Sequence, residues 1–297
     1  MSVNEYDRRR TFGDGKTDSD DEIFKTTRID VFDITEKTLS YGDRSQIFPT
    51  AKSRQADDPQ QKYSEYALLI RRKIDKDDKP QQTLVEFQSS TLCACIRELL
   101  SDYPDLNLNA TPIVFEKPYV ALFHKRKEIR EYMLDRRRTE KEKKHLNVLK
   151  DFMVKNLAEA EAIDTHMVQH GVITFQWLWL LFSPGDWILY RDQEYDECYR
   201  FFESYNRLNM YNEPEFVVKA WGWDYNGKLF GPSLREFVIP QFVGNRGIQQ
   251  LDIVPTKFLG EEEWGRISKE LVKRGHEWKR CARFSHFEYN GENSSDE

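Results

Sequence analysis

The chain has 297 residues, 39% of them hydrophobic and 13% aromatic, enough apolar material to bury a core and too much for a protein disordered over most of its length. Its 45 Lys and Arg stand against 51 Asp and Glu, a net charge of -6, so no global field draws it onto nucleic acid or an anionic membrane. No apolar run approaches the roughly eighteen residues of a membrane span, and the polar stretch Met1 to Lys16 lacks a signal-peptide core; the expectation is a soluble intracellular protein, cytoplasmic or nuclear, with its four cysteines held as thiols.

Residues 1–61 are rich in Asp, Arg, Ser, Thr and Gln and read as a mostly disordered tail, in which Ile29 to Ile34 has the composition to dock as a strand. Order begins with Tyr66 to Arg71, pairs across a charged loop with Leu84 to Phe87, and passes to a helix capped at Ser89 or Ser90. Its apolar positions, Leu92, Cys95, Ile96, Leu99 and Leu100, recur at helical spacing until Tyr103-Pro104 stops it. Pro112 to Phe115 predicts a strand. From Pro118 the chain turns helical, with one stripe at Ile129, Tyr132 and Met133 and another at Leu146, Leu149, Phe152, Met153 and Leu157, continuing to Ala162 or beyond.

Thr174 is placed to cap a short apolar helix over Phe175 to Phe182, ended by Ser183-Pro184-Gly185 before a strand at Asp186 to Tyr190. Phe216 to Trp223, the turn through Asn226-Gly227, and Lys228 to Phe230 predict a hairpin, because Asn-Gly accepts the positive φ of a tight turn. Arg235 to Ile239 and Leu251 to Val254 are further strands. A charged helix from Glu261 to about Arg280, a strand at Phe284 to Tyr289 and a polar tail close the chain. The fold class expected is α+β: a mostly antiparallel sheet with several packed helices, one domain over 62–291, helical over about 89–183 and β-rich over about 184–291, with polar residues 292–297 as a tail.

Chemistry is sparse. Gly15-Lys16-Thr17 matches the end of a phosphate-binding loop, but Arg10 stands where the first glycine belongs and no apolar strand precedes it. His166 and His170 stand at i, i+4 as two metal ligands do, without the intervening glutamate of a zinc protease or an obvious third ligand, and Cys93-Ala94-Cys95 lacks a second cysteine pair. The carboxylates, Asp192 and Glu194 among them, are too many for abundance to select a catalytic pair. No catalytic, cofactor or metal residue is therefore assigned, and no cofactor is expected. Trp177 and Trp179 read as core.

Several segments together resemble a domain of unknown function found N-terminal to the AAA+ ATPase core in many fungal proteins. They are Tyr66 to Lys73, Asp102-Tyr103-Pro104, Leu122-Phe123-His124 with Arg126 and Glu128, and His145-Leu146 with Leu149. Gly171 to Phe175 with Leu178-Trp179, Leu181-Phe182 and Pro184-Gly185 follow, then Trp223-Asp224 through Gly227 to Phe230-Gly231. Ile239, Phe242, Gly244, Ile248, Leu251 and Pro255, and last Arg274-Gly275 through Tyr289-Asn290-Gly291, complete the set. The resemblance implies a non-catalytic module that recognises protein substrates or partners, or regulates an ATPase core in cis or in trans; with no Walker motif in these residues, ATP hydrolysis is not implied for them.

Contact residues expected on this reading are Trp221, Trp223 and Tyr225, where alternation along a strand leaves some aromatics facing outward. Two other readings stay open: a nucleic-acid-associated domain using the basic stretch 125–144, with Lys125, Arg126, Arg136, Arg137 and Arg138, and an enzyme whose site assembles only in three dimensions. Acidic residues interrupt that basic stretch and weaken its field, so nucleic acid is the less favoured partner, and no membrane partner is expected.

Overall fold

A computed structural model describes residues 28–37, 46–49, 66–75, 77–104, 106–191 and 195–281. The loop-like Gly15-Lys16-Thr17, the carboxylates Asp192 and Glu194, the expected strand at Phe284 to Tyr289 and the tail 292–297 lie outside these residues. The fold is α+β with mostly antiparallel sheets. The described residues form two compact units, the first taking those up to Ser101 with Asn107–Lys117 and Arg130–Phe152, the second taking Asp102–Leu106, Pro118–Ile129 and those from Met153 on. The span expected to be one domain thus contributes to both.

In the first unit, β1 (Arg28–Lys37), β2 (Gln46–Pro49), β3 (Tyr66–Ile74) and β4 (Pro80–Phe87) are followed by α1 (Ser90–Leu99) and β5 (Ile113–Glu116). The sheet order is β2-β1-β3-β4-β5, antiparallel except for the parallel pair β1–β3. Strand β1 falls within the span read as a mostly disordered tail; it is held by apolar burial, with Ile34 fully buried and Phe32 stacked on Tyr66 at 4.5 Å. Tyr66 to Ile70 are all buried, the pattern of a strand covered on both faces. Arg71 on β3 bridges Glu36 on β1 and, at 2.7 Å, Glu86 on β4, so a partly buried ion triad ties three neighbouring strands. The helix begins as the sequence predicts: the Leu92 amide donates to Ser89 Oγ at 3.3 Å, and the same oxygen lies 2.9 Å from the buried His145 Nδ1.

Helices α2 (Val120–His124), α3 (Arg126–Leu134) and α4 (Glu140–His170) resolve the expected helical region into three pieces. Thr139 caps α4: its Oγ1 accepts the Glu142 amide at 3.2 Å while Glu142 Oε2 accepts the Thr139 amide at 2.7 Å.

The second unit carries β6 (Val172–Thr174), a 3-10 turn at Phe175–Leu180, β7 (Trp187–Arg191), β8 (Asp196–Leu208), β9 (Pro214–Tyr225), β10 (Phe230–Pro240), β11 (Asn245–Gly247), β12 (Ile253–Pro255) and α5 (Glu261–Cys281). Its main sheet is antiparallel in the order β10-β9-β8-β7-β12, and β6 pairs with β11. The apolar run predicted as a short helix is this 3-10 turn, and Phe182 just after it stacks on Phe201 at 5.5 Å and on Phe216 at 6.1 Å, filling the core under the sheet. The Asn-Gly hairpin forms as expected: Gly227 has φ 91, and Asn226 Oδ1 accepts the Lys228 and Leu229 amides. Lys228 stays in the turn, while the segments around Phe230 and Arg235 to Ile239 are one strand, β10, whose Pro232 is tolerated because β10 is a sheet edge.

His124 sits in this unit between Tyr103 and Trp179. Its Nε2 lies 3.4 Å from the Trp179 carbonyl, which can only accept, so Nε2 carries the proton and Nδ1 accepts from the Tyr103 hydroxyl at 2.9 Å. Burial lowers its pKa to about 4. The unfolded chain then takes up this proton on acidification from about pH 6.5 while the folded chain does not, so stability present at neutral pH is lost as the pH falls toward 4. The His124 imidazole should stay neutral by NMR down to pH 5. Between pH 7 and pH 5 the unfolding free energy should fall by up to about 2 kcal/mol more in the native chain than in His124→Gln, measured by urea titration; equal falls would contradict this reading.

Candidate functional site

Strands β7 to β10 are paired so that Trp187 stands opposite Arg200, Arg200 opposite Trp221, and Trp221 opposite Leu234. Directly opposed residues share a face, so these four make one row across four strands. Trp223, two residues beyond Trp221, points to the same side and is opposed by Pro232. This side of the sheet is open to solvent: Trp187 is 49% exposed, Trp221 38%, Trp223 73% and Leu234 41%. Within the row the Arg200 guanidinium lies over the Trp187 ring at 5.0 Å, and Trp221 meets Phe202 edge-on at 5.6 Å. Rings held by neighbours while leaving much of their area in water form a pre-organised apolar surface, the kind that marks a binding face.

The other side of β9 carries Gly222. A Cβ at this position would come within 2.7 Å of Tyr199 Cε1, so the absence of a side chain lets the Tyr199 ring lie against the strand. Tyr199 donates to Glu197 Oε2 at 2.6 Å, and Arg235 donates to the same oxygen at 2.7 Å and to the Tyr199 hydroxyl. Burial, then the Glu197 hydrogen bond, pushes the Tyr199 pKa up to about 12; burial likewise raises the Cys198 thiol to about 11, which keeps it protonated at neutral pH.

Over this polar cluster passes α5. Its Trp278 packs on Phe230 at 4.8 Å, Phe230 packs on Tyr225 at 4.8 Å, and Arg274 donates to the Asp196 carbonyl while stacking over the Tyr195 ring at 5.3 Å. Two adjoining cavities result. One, of about 290 Å³, is bordered by Glu197, Tyr199, Trp223, Asp224, Ser233, Arg235 and Trp278; the other, of about 430 Å³, shares Trp223 and extends toward Tyr195, Leu271 and Arg274.

Of the contact residues read from sequence, Trp221 and Trp223 lie on the open sheet face, whereas Tyr225 braces its own hairpin, its hydroxyl donating to the Gly227 carbonyl at 2.9 Å. The basic residues fall in different units. Lys125 pairs with Asp102 at 3.0 Å and Arg126 with Asp164 at 2.5 Å in the second; Arg137 pairs with Asp135 and Arg138 with Glu98 in the first, where Arg136 is exposed. That pairing absorbs much of the charge a phosphate strip needs. His166 and His170 stack at 4.1 Å with His170 Nδ1 on the His166 carbonyl, and among the described residues no group of three or more potential ligands is placed to hold a metal ion. Cys93 and Cys95 are buried thiols and Trp179 is buried against Phe123. No described helix is long and apolar enough to cross a membrane.

Sequence reasoning passed over Trp187, Arg200, Tyr199, Arg235 and Trp278. Trp278 had a signal, since Trp264, Ile267, Leu271 and Trp278 form an i, i+3, i+7, i+14 stripe on α5; the others lie on strands whose pairing no local pattern reveals.

A family model described as a domain of unknown function (DUF7025) matches residues 164–260. The match takes in β6 through β12, and so the whole tryptophan face, and stops before α5. No curated protein and no solved structure matches the chain.

Replacing Gly222 by alanine should force the Tyr199 ring off the strand and cost about 1–3 kcal/mol in unfolding free energy, as overpacking does. In a double-mutant cycle read by urea denaturation, Gly222→Ala should cost much less when Tyr199 is also alanine; an undiminished cost would show that the ring is not what position 222 accommodates.

Proposed function

We propose that the chain is a protein-recognition module that binds a partner or client through the tryptophan face of its second unit. The observation that carries this is the exposed row Trp187–Arg200–Trp221–Leu234 with Trp223 beside it. Tryptophan and arginine dominate the energetic centres of protein interfaces, because each buries a large rigid area on few torsions. An exposed apolar row of this kind suits a partner that lays an apolar surface across it.

The resemblance of the chain to modules that precede AAA+ ATPase cores in fungal proteins supports the same reading and makes a client, or an ATPase core in cis or in trans, the partner class to look for. On this view the protein acts inside the cell, in cytoplasm or nucleus, as a recognition or regulatory element. The nucleic-acid alternative is weaker, since Lys125, Arg126, Arg137 and Arg138 already pair with carboxylates.

The test is affinity capture by the tagged full chain, with and without ATP, read by mass spectrometry beside a Trp221→Ala/Trp223→Ala variant with unchanged circular dichroism. A reproducible protein set, retained at least about tenfold less by the variant, is expected for the loss of two interface tryptophans. The same set retained equally by the variant, or nucleic acid alone released by salt, would overturn the proposal.

A further inference from the structure

The second site is the 290 Å³ cavity beside Trp278, which Gly222 and Trp223 of β9 also border. Its charges come from three strands: Glu197 on β8, Asp224 on β9 and Arg235 on β10. Arg235 and Glu197 satisfy one another at 2.7 Å, and the Tyr199 hydroxyl is committed to the same carboxylate. Asp224 differs. Its Oδ1 accepts the Tyr225 amide at 2.7 Å, and among the described residues it forms no ion pair. Among the described residues that border it, the cavity therefore holds one carboxylate in excess, beside the rings of Trp278, Tyr199 and Trp223 and the Ser233 side chain. Among the described residues that border the two cavities, the remaining cation is Arg274 on α5, which lines the wider one and is turned to the Asp196 carbonyl and the Tyr195 ring.

An excess carboxylate next to aromatic rings favours a flat or compact organic cation: the carboxylate supplies charge and hydrogen-bond acceptors, and the ring faces supply quadrupole attraction. A guanidinium also stacks on indole, which a hydrated ammonium does less well. We infer that this cavity is a binding site for a guanidinium group on an aliphatic stem, held by Asp224 and stacked at Trp278. Trp223 borders both this cavity and the tryptophan face, but the inference rests on Asp224 and Trp278, which the proposed partner contact does not use.

The same chemistry comes from a free small molecule or from an arginine side chain of a protein. Two probes separate them: agmatine, and the peptide acetyl-Gly-Arg-Gly-amide, with acetyl-Gly-Glu-Gly-amide as the anionic counterpart. Each is titrated into the full ¹⁵N-labelled chain, following the Trp278 indole resonance, assigned with Trp278→Phe. Asp224→Asn keeps the oxygen that accepts the Tyr225 amide and removes only the charge, so it leaves the hairpin folded. The expected result is a saturable shift of the Trp278 indole by agmatine, by the arginine peptide or by both, weakened about fivefold or more in Asp224→Asn, with the glutamate peptide inactive. Agmatine alone points to a small molecule and the peptide alone to a side chain. No saturable shift with either cation, equal affinity in Asp224→Asn, or tighter binding of the glutamate peptide would overturn the inference.

Discussion

Strand β9 serves two surfaces by the two-residue period of its backbone. Trp221 and Trp223 point to one side, and between them Gly222 faces the other, where the Tyr199 ring occupies the space a side chain would need. A one-residue slip of β9 against β8 or β10 would exchange these roles and set Tyr199 against a bulky neighbour. Register is thus the constraint on which both surfaces depend, and the close approach at Gly222 is one of the contacts that enforces it.

The two surfaces differ in chemistry for the same reason. The tryptophan face gathers residues that gain by leaving water, steadied by Arg200 and Phe202. The cavity gathers groups that need partners: Tyr199, Glu197 and Arg235 satisfy one another, and Trp278 of α5 borders them. A broad apolar face suits a macromolecule, and a small charged cavity suits a single functional group.

Much of the fold was legible in the sequence where its signals are local. The Ser89 cap, the Asn226-Gly227 turn, the apolar segment before Pro184 and the stripes of α1 and α4 each depend on a few neighbouring residues and appear where expected. Strand β8 was missed because a register shift between Phe201 and Glu203 breaks its alternation, so Phe201 and Phe202 stand side by side among charged residues. The parallel pairing of β1 with β3, and the interleaving of two units along one chain, rest on contacts between distant residues that no window of sequence contains. The same limit explains the candidate site: Trp221 and Trp223 were readable as hairpin aromatics, but the row with Trp187 and Arg200 exists only once four strands are in register.

The central claim is that partners bind on the β7–β10 face, and hydrogen–deuterium exchange of the full chain with and without a captured partner tests it most directly. Protection concentrated in residues 187–189, 199–202, 219–223 and 232–236 is the result this account predicts. Protection confined to 125–144, with the tryptophan strands exchanging as in the free chain, would contradict it.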